Sequence, residues 1–289
     1  MRKLPLALAA LGLLAAAAAR AEAPSTPSSP APRTGTVRNG EAVIAYRDWG
    51  SGPSIVIAPS LGRGCDDFND LAPRLAAHGL RVLCPEPRGI GASTGPLENP
   101  TLHLFAGDLA AVITAEHLAP TVVLGHAYGN TVVRTLATDH PELVRGVILV
   151  TASGRAPLAP ETVAAINQSS DLTLPEEQRR KALAAAYFAP GSDASVWLGG
   201  WYPKAQAAQW AASKATPPDV YIPAGGKAPI LDIQGDHDVI IPPKYSQDLH
   251  HELGDRVQVV VIRDAGHAMV PEQPAAVTEA IVAWMRKLP

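Results

Sequence analysis

The sequence predicts an α/β fold in which a mostly parallel central sheet is flanked by helices. Short apolar runs of β type alternate with longer helical stretches along most of the chain. The runs are continuously apolar, as is typical of strands buried on both faces of a parallel sheet. One insertion without β runs, at about residues 155–226, interrupts the alternation and predicts a helical cap over the sheet.

The individual elements follow from these patterns. Asn39-Gly40 lies between alternating residues and predicts an antiparallel hairpin over Gly35–Trp49 at one edge of the sheet. The apolar runs predict buried strands at Ile55–Ala58, Leu80–Cys84, Thr121–Gly125, Val144–Val150, Pro229–Ile233 and Val257–Ile262. The stretches between them predict helices at Phe68–His78, Leu102–Leu118, Tyr128–Asp139, Pro242–Leu253 and Pro271–Lys287.

The N-terminus predicts export. Arg2 and Lys3 precede an apolar run of 16 residues, and small residues follow it, so residues 1–23 have the form of a cleaved signal peptide. Residues 24–34 predict a Pro/Ser linker, and residues 35–289 the folded domain. We expect a periplasmic or secreted protein, with no stable membrane span after the signal is cleaved.

Composition limits the function classes. The chain is 47% hydrophobic with a net charge of −3, which indicates a globular protein and argues against nucleic acid as a partner. Two cysteines exclude a disulfide scaffold and a four-cysteine zinc site. In an exported chain a Cys65–Cys84 disulfide is chemically allowed, although two thiols alone do not establish it.

Candidate catalytic residues follow three of the predicted strands. Ligands of parallel sheets bind at the carboxyl ends of strands, so the residues just after each strand are the ones to inspect. Small residues flank a sharp strand-to-helix turn in the first segment, as a nucleophile elbow requires. The segments are Gly125-His126-Ala127-Tyr128-Gly129, Gly235-Asp236-His237-Asp238 and Asp264-Ala265-Gly266-His267.

In this order the motifs resemble the α/β-hydrolase family, over about residues 36–287. The segment Glu86-Pro87-Arg88-Gly89-Ile90-Gly91-Ala92-Ser93 is similar to another turn of that family, with Glu86 in place of the usual Asp. The resemblance implies that Asp238 is the acid and His267 the base. It also implies an oxyanion hole formed by the backbone N–H groups of Leu61 and Tyr128.

The chain departs from the family at the nucleophile. Ala127 stands where the family has serine, and a methyl group cannot attack a carbonyl. Pro59-Ser60 also stands where the family has His-Gly before the oxyanion loop. Three explanations are open, namely a substitution made to trap a substrate, an enzyme that works without the serine, and a binding protein that keeps the pocket.

We favour the enzyme, because a buried Asp–His pair seldom stabilises a fold better than apolar residues would. The expected substrate is a small, largely apolar ester or carbonyl compound, with His267 and Asp238 acting as a catalytic dyad. The reaction is expected to be either hydrolysis or cofactor-independent lyase or oxygenase chemistry. The alternative is a catalytically inactive pseudo-hydrolase that binds a small ligand.

Other residues complete the predicted site. Trp197 and Trp201 of the insertion are candidates for the pocket wall, and Arg63 on the oxyanion loop is a candidate for a substrate carboxylate. Ser60 and Cys65 are candidates for a relocated nucleophile, although a turn residue and a disulfide partner are the simpler interpretations. The sequence predicts no metal site and no cofactor.

Overall fold

The computed structural model describes residues 31–151 and 158–288. The predicted signal peptide and most of the predicted linker lie outside the described residues. The first strand begins at Arg33, so regular structure starts slightly before Gly35, where the sequence placed it.

The described residues form an eight-stranded sheet with the order β1-β2-β4-β3-β5-β6-β7-β8. The first two strands form the predicted hairpin, and β2 also pairs antiparallel with β4, while all other pairings are parallel. The strands are β1 (Arg33–Asn39), β2 (Ala42–Gly50), β3 (Ser54–Ala58), β4 (Arg81–Pro85), β5 (Thr121–His126), β6 (Val144–Val150), β7 (Ile230–Gly235) and β8 (Val257–Ile262). The predicted α/β fold is therefore confirmed.

The helices mostly lie where the sequence predicts them. They are α1 (Leu71–Ala77), α2 (Leu102–Ala115), α3 (Tyr128–Asp139), α4 (Pro160–Ser170), α5 (Glu176–Ala186), α6 (Pro203–Ala215), α7 (Pro218–Tyr221), α8 (Asp248–Leu253), α9 (Met269–Glu272) and α10 (Pro274–Met285). The single helix predicted over Pro242–Leu253 is wrong, because only its second half is α-helical. Pro242 and Pro243 carry no N–H, and the stretch starts as a separate 3-10 turn at Pro243–Tyr245.

Alternate residues of the central strands face two hydrophobic layers. Ile55 and Ile57 of β3 pack with α1 and α10, whereas Val56 and Ala58 pack on the opposite face with α2 and α3. All residues of β3, β5 and β7 are buried, as their apolar runs predict. Strand β8 differs, since it is the edge strand and its interior residues are partly exposed.

Helices α4 to α7 lie between β6 and β7 in the chain and form the cap. Their core is aromatic and contains Tyr187, Phe188, Trp197 and Trp201. None of the helices in the described ranges is long and apolar enough to cross a membrane.

A disulfide joins Cys65 to Cys84, with 5.8 Å between the Cα atoms. Cys65 begins the 3-10 turn that follows the β3 loop, and Cys84 lies in β4. Both residues are fully buried. The bond therefore fixes the loop after β3 to the neighbouring strand.

Candidate active site

The turn between β5 and α3 has the backbone of a nucleophile elbow, although its central residue is alanine. Ala127 has φ 50° and ψ −114°, a conformation that costs a non-glycine residue on the order of 1 kcal/mol. The flanking glycines are required sterically. A Cβ on Gly125 would lie 2.4 Å from the Cα of Asn130, and a Cβ on Gly129 would lie 2.0 Å from the carbonyl oxygen of Ala58.

Hydrogen bonds hold this strained turn in place. The backbone N–H of Ala127 donates to the carbonyl oxygen of Val150 at 2.8 Å. The side-chain amide of Asn130 donates to the carbonyl oxygens of Ala127 and Thr151, the latter at 3.2 Å. Arg134 donates to the other end of the same amide at 2.9 Å. The elbow is therefore tied to the ends of both β5 and β6.

His267 and Asp238 form a buried pair at the ends of β8 and β7. The Nδ1 atom of His267 lies 2.8 Å from Oδ2 of Asp238. The second carboxylate oxygen, Oδ1, accepts the backbone N–H groups of Ile240 and Ile241, both at 2.8 Å. Because all three partners can donate, the carboxylate is satisfied in its ionised form despite its burial.

Two further contacts fix His267. The hydroxyl oxygen of Thr151 lies 2.9 Å from His267 Nδ1, and His126 Nε2 lies 2.9 Å from the carbonyl oxygen of His267. A carbonyl oxygen only accepts, so His126 carries its proton on Nε2. Burial lowers the pKa of His126 to about 3, so this histidine is neutral near pH 7.

Two backbone donors are free beside the elbow. Among the described residues, nothing accepts the N–H groups of Leu61 and Tyr128. The loop that carries Leu61 is anchored to the cap through the next residue. Gly62 donates to Oε1 of Gln209 at 2.6 Å, and its carbonyl oxygen accepts the N–H of Tyr202 at 2.9 Å.

A cavity of about 450 Å³ separates the cap from the carboxyl ends of the strands. The structure brings four predicted site residues together in its wall: Leu61, Ala127, Tyr128 and His267. The remaining described wall is largely apolar or aromatic. It consists of Ser60, Asn130, Thr131, Thr151, Leu158, Ile166, Tyr187, Trp210, Ser213, Pro218, Tyr221, Ile222, Ile240 and Ile241.

The sequence profile of the "Alpha/beta hydrolase family" matches residues 55–280, which is most of the chain and contains the elbow, Leu61, Asp238 and His267. The chain belongs to the alpha/beta hydrolase family. Among solved structures, this alpha/beta hydrolase is similar to the Rv0554 protein of Mycobacterium tuberculosis. The two are 25% identical with a TM-score of 0.72, over 86% of this chain and 94% of the other.

Two curated relatives differ in how much of the chain they match. A non-heme chloroperoxidase of Streptomyces lividans is 32% identical over 122 residues, or 41% of this chain and 44% of the relative. A pyrethroid hydrolase of Sphingobium wenxiniae is 29% identical over 247 residues, or 78% of this chain and 85% of the relative. The match covers less than half the length of each of the first curated relatives.

Two candidates for a relocated nucleophile have different surroundings in this alpha/beta hydrolase. Cys65 is buried in a disulfide and carries no thiol, so it is not a nucleophile. Ser60 lines the cavity. Its hydroxyl group makes no hydrogen bond with the described residues, so none of them is placed to act on it as a general base.

Arg63, Trp197 and Trp201 lie outside the cavity wall, which corrects their assignment to substrate binding. The Arg63 guanidinium donates to Asp67 at 2.6 Å and to the carbonyl oxygen of Gly199 at 3.0 Å. It also stacks on the rings of Trp197 and Trp201, at 4.5 and 4.8 Å from the ring centroids. These residues fasten the loop after β3 to the cap core, because Arg63 is 3% exposed and donates to both Asp67 and the cap residue Gly199.

The aromatic residues that do form part of the cavity wall are others of the cap. Tyr187, Trp210 and Tyr221 line the cavity, and the ring of Tyr187 lies 6.0 Å from that of His267. Burial raises the pKa of Tyr187 to about 12, so its phenol stays protonated. Sequence reasoning also missed Thr151, although a signal existed, because Thr151 directly follows β6 and strand ends are where parallel sheets place functional groups.

The turn that resembles a second family motif has a structural role. Oε2 of Glu86 accepts the backbone N–H of Cys65 at 3.0 Å, and burial raises the pKa of Glu86. Arg88 and Asp108 form a buried ion pair, with 2.6 Å between Nε of Arg88 and Oδ2 of Asp108.

In residues 31–151 and 158–288, no group of three or more His, Cys, Asp or Glu side chains is arranged to hold a metal ion.

Proposed function

We propose that this protein is an enzyme that hydrolyses a small, neutral and largely apolar ester or related carbonyl compound, with His267 as the general base. The observation that carries the proposal is the 2.8 Å contact between Asp238 and Nδ1 of His267, because His267 lines a cavity that also holds two free backbone donors. An ionised carboxylate on Nδ1 leaves Nε2 as the nitrogen that accepts a proton.

Water replaces the serine as nucleophile in this mechanism. We place this water between His267 and the bound carbonyl carbon, in the space that a seryl hydroxyl at position 127 would occupy. His267 Nε2 takes one proton from the water while its oxygen bonds to the carbonyl carbon, and the carbonyl oxygen becomes an oxyanion. The bond to the leaving oxygen then breaks as that oxygen takes the proton from His267, so the alcohol and the acid are released and His267 is neutral again. No acyl-enzyme forms, because Ala127 offers no oxygen.

The N–H groups of Leu61 and Tyr128 stabilise the oxyanion. Preorganised donors of this kind are worth about 3 kcal/mol each where they meet developing charge. The Gly62–Gln209 hydrogen bond and the Arg63–Asp67 pair hold the donor loop before substrate arrives. The positions of the donors therefore depend on the cap as well as on the sheet.

The cavity supports the substrate class. Its described wall contains aromatic and aliphatic side chains with a few hydroxyl and amide groups. Such walls bind apolar compounds and fix them through a small number of polar contacts. The pyrethroid hydrolase relative, which matches 78% of this chain, supports hydrolysis of an apolar compound.

Export is part of the proposal. Disulfides persist in oxidising compartments, and Cys65–Cys84 is formed in the structure. Together with the basic and apolar residues at the N-terminus, the disulfide supports a periplasmic or secreted enzyme.

The competing function is a pseudo-hydrolase that binds a ligand without turnover, which the Ala127 methyl favours. The test is turnover of a panel of neutral esters and lactones by the purified protein, compared with the variants His267→Ala and His237→Ala. His237 is exposed, 42% for its side chain, and does not line the cavity, so it is the matched control. We expect turnover that His267→Ala lowers by about a thousandfold and His237→Ala leaves unchanged. Ligand binding without turnover would establish the pseudo-hydrolase instead.

A further inference from the structure

The Nδ1 atom of His267 has two partners. Besides Oδ2 of Asp238 at 2.8 Å, it lies 2.9 Å from the hydroxyl oxygen of Thr151. Thr151 is fully buried and follows β6 directly. Its carbonyl oxygen accepts the Asn130 side chain, so its position is fixed from the elbow side as well.

The chemistry of the partners decides the direction of these hydrogen bonds. An ionised carboxylate only accepts, and Oδ1 of Asp238 already takes the N–H groups of Ile240 and Ile241. The proton of the pair therefore lies on Nδ1 of His267, where the carboxylate and the Thr151 oxygen share it. The Thr151 hydroxyl proton is left to turn toward the cavity, whose wall includes Thr151.

This second acceptor matters because Ala127 removes a contact on the other side of the ring. A neutral imidazole carries one proton, and general-base action at Nε2 requires that the proton stay on Nδ1. A serine hydroxyl at position 127 could donate to Nε2 and hold that tautomer. Within the described part of the chain, nothing donates to Nε2, so the tautomer depends on the partners of Nδ1 alone.

We infer that Thr151 is a positioning residue for His267. The hydroxyl oxygen of Thr151 holds the proton on Nδ1 of His267, so that Nε2 is unprotonated. The contribution of Thr151 to catalysis rests on the proposed function, whereas its effect on the tautomer of His267 is independent of that function. Thr151 is expected to act through the hydroxyl, and its methyl group only packs.

The test is ¹⁵N NMR of the imidazole nitrogens in protein labelled at its nine histidines, with the His267 signals assigned by their loss in His267→Gln. We expect His267 to carry its proton on Nδ1 in the unaltered protein. The near-isosteric Thr151→Val should raise the Nε2–H fraction about fivefold, the effect of one neutral hydrogen bond, and Thr151→Ser should restore it. Identical His267 signals in Thr151→Val and the unaltered protein would overturn the inference.

Turnover supplies an independent readout. With a substrate in hand, Thr151→Val should lower kcat by about fivefold with little change in KM, and Thr151→Ser should recover it. A tautomer shift in a protein without turnover refutes the proposed function and supports the role of Thr151. Turnover without a tautomer shift in Thr151→Val supports the proposed function and refutes the role of Thr151. If Thr151→Val does not fold, Thr151→Ser and Thr151→Ala are compared instead, since these two variants also differ by the hydroxyl group.

Discussion

His126 Nε2 donates to the carbonyl oxygen of His267 at 2.9 Å, so the residue before the elbow holds the backbone of the proposed general base. The two rings lie 6.2 Å apart. The His126 ring is uncharged near pH 7, because burial lowers the pKa of His126 to about 3.

The same burial predicts a loss of stability in acid. The pKa of His126 falls from 6.5 in an exposed histidine to about 3 in the folded protein. Between these two pH values the unfolded chain therefore binds a proton that the folded protein does not bind. The stability that this contributes is present in full above pH 6.5 and is lost as the pH falls toward 3. Between about pH 7.5 and about pH 5, His126 should lower the free energy of unfolding by about 2 kcal/mol.

Urea unfolding at the two pH values measures this, with His126→Gln as the comparison. Glutamine keeps a side-chain N–H donor but does not titrate, so the fall in stability should be smaller in the variant. An equal fall in both proteins would show that His126 does not titrate as the structure indicates.

Ala127→Ser should create a working nucleophile, because the elbow backbone and the His267–Asp238 pair are already in place. We expect covalent labelling by a fluorophosphonate probe and a rise in ester hydrolysis of at least about tenfold. Intact-mass measurement after labelling gives the result. Ala127→Gly, which changes size without adding a hydroxyl, should stay unlabelled.

The labelling should also depend on the base. The double variant Ala127→Ser, His267→Ala should lose it, since no group remains to take the serine proton. If Ala127→Ser folds and is not labelled, the assignment of the elbow is wrong.

Asp238→Asn should reduce turnover by about a thousandfold or more, because an amide on Nδ1 can donate and so favours the wrong tautomer of His267. The measurement is kcat with the best substrate from the panel. Asp255→Asn is the control, since Asp255 is exposed and does not line the cavity. Similar kcat values in both variants would remove Asp238 from the mechanism.

Arg63→Ala should destabilise the protein by about 3–5 kcal/mol, since it leaves Asp67 buried without its partner. The chain offers a matched control, because Arg74 and Asp70 form a pair with the same sequence spacing on the surface. Arg74→Ala should cost less than about 1 kcal/mol. Chemical denaturation of both variants measures the difference, and equal costs would contradict the anchoring role of Arg63.

Removal of the disulfide should cost about 3 kcal/mol, as expected for a bond that closes a loop of 19 residues. Cys65→Ala, Cys84→Ala tests this by urea unfolding, with the reduced unaltered protein as the second comparison. The two should be destabilised to a similar extent. A stability equal to that of the oxidised protein would show that the bond contributes nothing to the fold.

Local patterns in the sequence are enough to place the strands of the sheet. The run Ile55–Ala58 is apolar throughout because both of its faces are covered, and its strand is buried in full. The elbow is equally local, since the small residues at 125 and 129 reflect a clash with neighbouring backbone. The order of the elbow, Asp238 and His267 indicated one site because parallel strands bring their carboxyl ends to the same edge.

Contacts between distant segments could not be predicted in this way. A cation on the loop after β3 suggested a substrate carboxylate, yet Arg63 contacts Asp67, Trp197 and Trp201 because the cap folds back onto that loop. Tyr187, Trp210 and Tyr221 line the cavity instead, and no periodicity distinguishes them from the aromatic residues of the cap core.

The sequence by itself determined the α/β fold, the placement of the candidate site residues at the strand ends and the absence of a seryl oxygen at Ala127, because each depends on residue type and short-range spacing. The tertiary structure alone decided that Cys65 and Cys84 are joined, and that Thr151 and His126 hold His267. These are contacts of a few ångströms between residues far apart in the chain. They depend on how whole elements pack against one another.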